Sequence, residues 1–217
     1  MPAHSAAQKT PDATPARWRR RKEARPQEIL EAALAVFAEK GFTAARMDDI
    51  ARRAGVAKGT IYLYFESKEA VFKALVRETV GARIGEISAI IQKHEGPTPA
   101  LLAAALRNFG EFASTSDRVV LPKIVIAEAG NFPDLARFYR EEVIERGLKV
   151  LGGVVARGIE RGEFRKIPIE HAVRLIIAPL LIVMLWRTIF ARYDKTPYDY
   201  SGLIEAHIES ILKGLAQ

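Results

Sequence analysis

Cysteine is absent from all 217 residues. Its absence excludes disulfide frameworks, thiolate zinc sites, iron–sulfur clusters and cysteine nucleophiles. Long apolar runs are also scarce. The longest, Leu175 to Trp186, spans 12 residues with Pro179 inside it, short of the roughly 20 that a membrane-spanning helix needs. The basic N-terminal stretch leads into no apolar segment, so no secretory signal is read there. Histidine is sparse and scattered (His4, His94, His171, His207), with no HExxH or i,i+4 pair to hold a metal. G-x-S-x-G, Walker A and G-x-G-x-x-G motifs are missing. The adjacent acids Asp48-Asp49 and Glu141-Glu142 read as helix surface rather than an acid/base pair. These absences lead to the expectation of a cytoplasmic protein that is not an enzyme and has no cofactor, no metal site and no membrane partner.

What is present fits a globular chain: 49% hydrophobic and 27% charged residues exclude wholesale disorder. The net charge of +7 is unevenly placed. Residues 1–25 carry seven basic and two acidic groups, and residues 26–217 are nearly balanced with 26 basic and 24 acidic groups. A basic arm on a near-neutral body points to a polyanionic partner, nucleic acid or an anionic surface. A solvated, disordered leader is the alternative reading of the same arm.

The periodicity is helical throughout, and strand-like alternation is absent. Residues 1–24, rich in Ala, Pro, Thr and Arg, read as a disordered basic arm. Pro26 suits a first helical position, Leu30, Ala33, Leu34 and Phe37 share a face, and Gly41 is a stop, giving a helix over 26–40. Met47, Ile50, Ala51 and Ala54 mark a short helix ended by Gly55, and a second short helix covers about 58–64. Two short helices joined through a glycine on a three-helix core form the helix-turn-helix pattern. Ser67 then caps a long helix to about His94. Later spans fall at about 99–114, 119–129, 132–161, 168–192 and 201–214, with Gly and Pro between them. The expected fold is all-α with about nine helices.

Read as a whole, residues 41–75 carry a specific string: Gly41-Phe42, Met47-Asp48-Asp49-Ile50-Ala51, Ala54-Gly55-Val56, Gly59-Thr60-Ile61-Tyr62-Leu63-Tyr64-Phe65 and Ser67-Lys68-Glu69-Ala70. The string resembles the DNA-binding domain of the TetR family, and with the first helix the resemblance covers 26–75. Ile126-Ala127-Glu128-Ala129 with Phe132-Pro133, Phe138 and Tyr139 is similar to the second domain of some AcrR-like members. Two positions depart from the pattern: Ala45 and Ala57 stand where the family often has hydroxyl residues capping the two short helices. Each departure forfeits a cap worth about 1 kcal/mol.

The resemblance implies three segments: the arm 1–24, a helix-turn-helix domain over 25–72, and a helical ligand-binding and dimerisation domain over 73–217. It implies a homodimeric repressor released from a palindromic double-stranded DNA operator by a small-molecule effector. A recognition helix enters the major groove by its N-terminal part, so Lys58, Gly59, Thr60 and Tyr62 are expected to face bases. Arg46, Tyr64 and Lys68 join Thr60 as expected phosphate contacts. Ile50, Ala51, Ile61 and Phe65 occupy the inward spacing and read as core, and Arg52 and Arg53 as a solvated face. Tyr64 fits packing as well as contact, and Arg17 to Arg25 suit a minor groove or a phosphate run.

In the second domain, helix 168–192 is apolar almost all round, and 201–214 carries a stripe of Leu203, Ile204, His207, Ile208, Ile211 and Leu215. Pairing both with their symmetry mates gives a four-helix dimer interface; a core helix covered by its own chain is the alternative. Phe109, Phe112, Glu128, Phe138, Tyr139, Met184 and Trp186 are the candidate pocket residues, since a small apolar ligand needs aromatics and a few polar anchors. Two other readings stay open. One is an activator or ligand-independent regulator of the same fold. The other is an all-helical small-molecule-binding protein or enzyme whose arm meets membrane or RNA.

Overall fold

The computed structural model describes residues 16–217, with side chains from Pro26 onward. Of the expected arm, residues 1–15 lie outside the described residues, as do the side chains of Arg17 to Arg25. From Ala16 the backbone is already helical: α1 (Ala16–Ala44) starts ten residues before Pro26, which sits inside it. Ala and Arg are strong helix formers, and here they outweigh the proline. Gly41, at φ 74°, breaks the helix where the sequence placed its stop, and the chain closes one further turn before α2 (Met47–Arg53).

The described residues form nine continuous helical rods and no strand. The glycine turn between α2 and α3 (Lys58–Tyr62) holds Gly55 at φ 65°, a conformation glycine adopts without steric cost. Neither short helix has a side-chain cap. Ala57 stands at the N-cap of α3, while Arg46, in extended backbone, rather than Ala45 stands at the N-cap of α2. Asp48 and Asp49 in the first turn of α2 offset the missing cap through the helix dipole. Ser67 caps the next rod by accepting from the Ala70 amide at 3.1 Å.

That rod is α4 (Lys68–Val76), a wider π-helical turn at Arg77–Gly81, and α5 (Ala82–Lys93). It is followed by α6 (Thr98–Thr115) and α7 (Val120–Glu128). The next rod repeats the device: α8 (Pro133–Tyr139), a π-helical turn at Arg140–Glu145, then α9 (Arg146–Glu160). The two wide turns pack against each other, and Arg77 and Glu142 meet across them at 3.5 Å. α10 (Ile169–Ile189) and α11 (Tyr200–Leu215) complete the chain.

The reading head, α1 to α4, closes on Phe37, Phe42 and Phe72, whose ring centroids lie 5.4–5.8 Å apart. Its core continues into α7 and α8 through Val120, Leu121, Leu135 and Phe138. A second core joins α6, α9, α10 and α11. The apolar stripe of α11 packs inward there: Ile204, Ile208 and Leu215 are buried, and His207 Nε2 lies 2.8 Å from the Ile176 carbonyl oxygen. By length and hydropathy α10 could cross a membrane; it packs against α6, α7, α9 and α11.

Three cations turn inward to cap helix ends. Lys68 donates to the carbonyls of Phe42, Thr43 and Ala45. Arg157 donates to those of His94 and Gly96, and Arg187 to those of Ala113, Thr115 and Ser116. The last carbonyls of a helix have no partner inside it, and a cation there also meets the negative end of its dipole.

Candidate nucleic-acid interface and cavity

α3 presents one inward residue, Ile61, which pins it to the head; Lys58, Gly59 and Tyr62 are exposed and Thr60 is half-buried. A Cβ on Gly59 would meet nothing within 4 Å, so the backbone of α3 borders open space there. Lys58 Nζ lies 3.0 Å from Asp48, and that hydrogen bond holds its ammonium pKa above the usual lysine value. Both partners are well exposed, so a phosphate or base edge displaces the carboxylate at little cost. Arg46 is exposed and has no ion-pair partner among the described residues. Arg52 and Arg53 are engaged with Asp49 and Glu39, in keeping with a solvated face.

One of the expected phosphate contacts, Lys68, is turned aside. Tyr64 is half-buried against the head core. Lys68 points away from the α3 surface, toward the end of α1: its Nζ lies 2.7–3.2 Å from three carbonyls and 4.7 Å from the Phe42 ring centroid. Sequence reasoning passed over Leu63, which follows Tyr62 and is 82% exposed. An exposed leucine at the end of a recognition helix suits a thymine methyl group, and among Ile61, Tyr62, Tyr64 and Phe65 nothing in the sequence separates it from core.

An apolar cavity of about 260 Å³ lies between the α4–α5 rod and helices α6, α7, α9 and α10. Phe109, Phe112, Tyr139 and Met184 line it. Glu128, Phe138 and Trp186 do not. Phe138 lies in the head core beneath Lys73 and Arg77, because α8 turns that face toward α4. Trp186 faces outward, donating from Nε1 to Asp194 at 3.0 Å with its ring 5.1 Å from Phe190. Residues missed by sequence reasoning include Val80, Ile84, Val125 and Leu151, aliphatic positions that look like ordinary core in a sequence. Exposed Ile126, Ile144 and Leu181 open the cavity toward the surface. Phe112 also borders a separate polar groove holding Glu78, Arg83, Glu86, Glu111 and Arg118, with the Arg83 guanidinium 5.5 Å from its ring centroid.

Glu128 links cavity wall to reading head. It ends α7, whose Val125 and Ile126 line the cavity, and its carboxylate accepts from the Thr43 amide at 3.2 Å and hydroxyl at 2.9 Å. Asn131 donates to it at 3.1 Å. The bonds from Asn131 and then Thr43, with the field of Lys68, hold its pKa below the usual carboxylate value. Beside it, Phe132 packs edge-on against Phe42 at 4.9 Å. No group of three or more His, Asp or Glu able to hold a metal occurs among the described residues.

A helix-turn-helix head with an open recognition helix, packed on a helical domain around an apolar cavity, defines a DNA-binding transcriptional regulator. Residues 29–75 match the family of bacterial regulatory proteins, tetR family, and residues 95–191 match the tetracyclin repressor-like C-terminal domain. The chain is 31% identical over 139 residues to the HTH-type transcriptional repressor KstR2 of Mycobacterium tuberculosis, covering 64% of this chain and 68% of that one. It is 29% identical over 197 residues to the fatty acid metabolism regulator protein of Bacillus subtilis, covering 89% and 98% of the two. The structure of FadR from Bacillus subtilis in complex with stearoyl-CoA superposes with a TM-score of 0.74 at 26% identity, over 87% of this chain and 98% of that one. The chain belongs to the TetR family of transcriptional regulators.

Proposed function

We propose that this protein is a cytoplasmic homodimeric repressor that holds a palindromic operator until an apolar, chain-like effector enters the cavity. The observation that carries the reading is the cavity itself. Its wall is aliphatic and aromatic, it opens through Ile126, Ile144 and Leu181, and it abuts the rod that begins in the reading head. At about 260 Å³ it sits just below the roughly 300 Å³ at which drug-sized pockets begin. A medium-length acyl chain fills it, and a longer one continues through the mouth. The stearoyl-CoA bound by the Bacillus subtilis neighbour makes an acyl thioester the effector class of choice.

The segment over 25–72 serves as the reading head and 73–217 as the effector and dimerisation domain. Base contact belongs to Lys58, Gly59, Thr60 and Tyr62, with Leu63 added, and phosphate contact to Arg46 and Tyr64. Dimerisation runs through residues 168–192 and 201–214. Leu175, Ile182, Trp186 and Phe190 form an exposed apolar stripe on α10, and α11 adds an outward row of small residues, Gly202, Ala206, Ser210 and Gly214, that permits close approach. The dimer sets its two α3 helices about 34–36 Å apart, one DNA turn, or a multiple of it. Occupancy of the cavity displaces α7 and the rod and changes that spacing.

The test is a mobility shift on the DNA upstream of the protein's own gene, with and without long-chain acyl thioesters. The reading requires a sequence-selective, salt-dependent complex that acyl thioesters dissolve. A complex that persists at saturating effector, or no selective complex at all, overturns it.

A further inference from the structure

The cavity wall carries a single polar side chain. Of the residues that line it, Tyr139 alone has an oxygen or nitrogen beyond the backbone, and no Lys, Arg or His is among them. The Tyr139 ring is buried, yet its hydroxyl makes no hydrogen bond to any described residue. It also differs from the Tyr200 hydroxyl, which is unpartnered but sealed from open space; Tyr139 is not in that sealed state. An unbonded hydroxyl on the wall of an open apolar cavity is a donor waiting for an acceptor, since burial without a partner is costly. Burial also pushes its pKa up, so the group keeps its proton across the physiological range.

We propose that Tyr139 is the specificity-determining residue of the effector cavity, donating a hydrogen bond to one neutral carbonyl oxygen on an otherwise apolar chain. This rests on the cavity being the effector site and adds what that site selects. A ketone, ester or thioester carbonyl satisfies the hydroxyl without bringing charge into the apolar wall. A carboxylate meets no cation there and is rejected, because an ion moved from water into such surroundings loses its hydration with nothing to replace it. The same geometry distinguishes an acyl chain still esterified through its carbonyl from the free acid released by hydrolysis.

The experiment is displacement of an apolar fluorescent dye such as Nile red from the full-length protein by three ligands of similar length, 1-chlorooctane, 2-nonanone and ionised nonanoate. Wild-type protein binds nonanoate far more weakly than the ketone, and its ketone-to-chloroalkane affinity ratio is the reference for the variant. Tyr139→Phe removes an oxygen that bonds no described residue, so the fold stands, and the ketone-to-chloroalkane ratio falls by about five- to tenfold, the usual value of one neutral hydrogen bond. An unchanged ketone-to-chloroalkane ratio in Tyr139→Phe, or nonanoate binding as tightly as 2-nonanone, overturns this inference alone. Failure of all three ligands to displace the dye removes the effector cavity as well.

Discussion

The sequence motif assigns Lys68 to a DNA phosphate, and the structure gives its ammonium to the end of α1; Lys68→Met separates the two roles. Nζ donates to Phe42 O at 2.7 Å, Thr43 O at 3.0 Å and Ala45 O at 3.2 Å, two of these contacts being partly buried. It also sits 4.7 Å and 5.7 Å from the ring centroids of Phe42 and Phe132. Methionine keeps the stem against both rings and removes the charge and all three donors. A hydrogen bond to a charged group is worth about 1.5–3 kcal/mol, but these three share one ammonium and water reaches part of the site. The expected loss is therefore about 2–3 kcal/mol in all, or about 5–10 °C in Tm for a chain of this size. Two assays decide it: a thermal melt of the free protein, and operator affinity across a salt series. A structural cap lowers Tm and leaves the salt slope unchanged. A phosphate contact leaves Tm unchanged and reduces the slope by about 0.9 for each lysine lost. An unchanged Tm with the reduced slope refutes the capping role.

Two further predictions address the link and the reading helix. Glu128→Gln costs about 0.5–1 kcal/mol near neutral pH, discounted for the exposure of the carboxylate. Because the folded pKa of Glu128 is depressed, its contribution is fully present above the ordinary carboxylate value near 4.5 and is lost as pH falls through the folded value. Urea titrations of both proteins should thus differ at neutral pH and converge in acid; a constant gap would mean that the charge of Glu128 plays no part. Gly59→Ala places a methyl group in open space on the free protein, so Tm stays level or rises slightly, as alanine is the better helix former. Operator affinity should drop at least about tenfold if the α3 backbone lies against a base edge, and an unchanged affinity in a filter-binding assay would remove Gly59 from the contact surface.

Much of the architecture was legible because glycine and proline punctuate it. Gly41, Gly55, the Gly96–Pro99 stretch, Pro133, Gly162 and Pro168 fall at or beside rod ends, and Ser67 caps the rod it was expected to cap. The start of α1 was not legible, because a lone proline among good helix formers reads as a boundary whether or not it is one. Side-chain direction was the harder problem. A lysine near a helix N-terminus reaches equally well outward to phosphate or sideways to carbonyls, and the position of the α1 end relative to Lys68 decides between them. The pocket aromatics divide for the same reason. Phe109, Phe112 and Tyr139 border the cavity, while Phe138, one residue from Tyr139 and in the same head core, does not reach it, a difference of one step around a helix that composition does not encode. Glu128 was singled out as polar among apolar neighbours, and that signal was sound, but its partner Thr43 lies 85 residues away.

The paired π-helical turns bear on how this chain tolerates change in length. Each holds one residue more than an α-helical turn would, and both turns reach the cavity: Val80 lines it from the first, Val143 and Ile144 from the second. Deleting a residue from 77–81 or 140–145 would return that turn to ordinary pitch and leave its two flanks nearly in register, whereas a deletion within α4 would turn one side of the rod by about 100° against the other, the angular step of one residue in an α-helix. A deletion in α4 would swing Ile84 and Ile87 off the wall unless the wide turn gave up its surplus residue. The wide turns are thus where a one-residue change in length costs least, and elsewhere along the two rods the reading frame between head and effector domain is counted in residues as well as held by contacts.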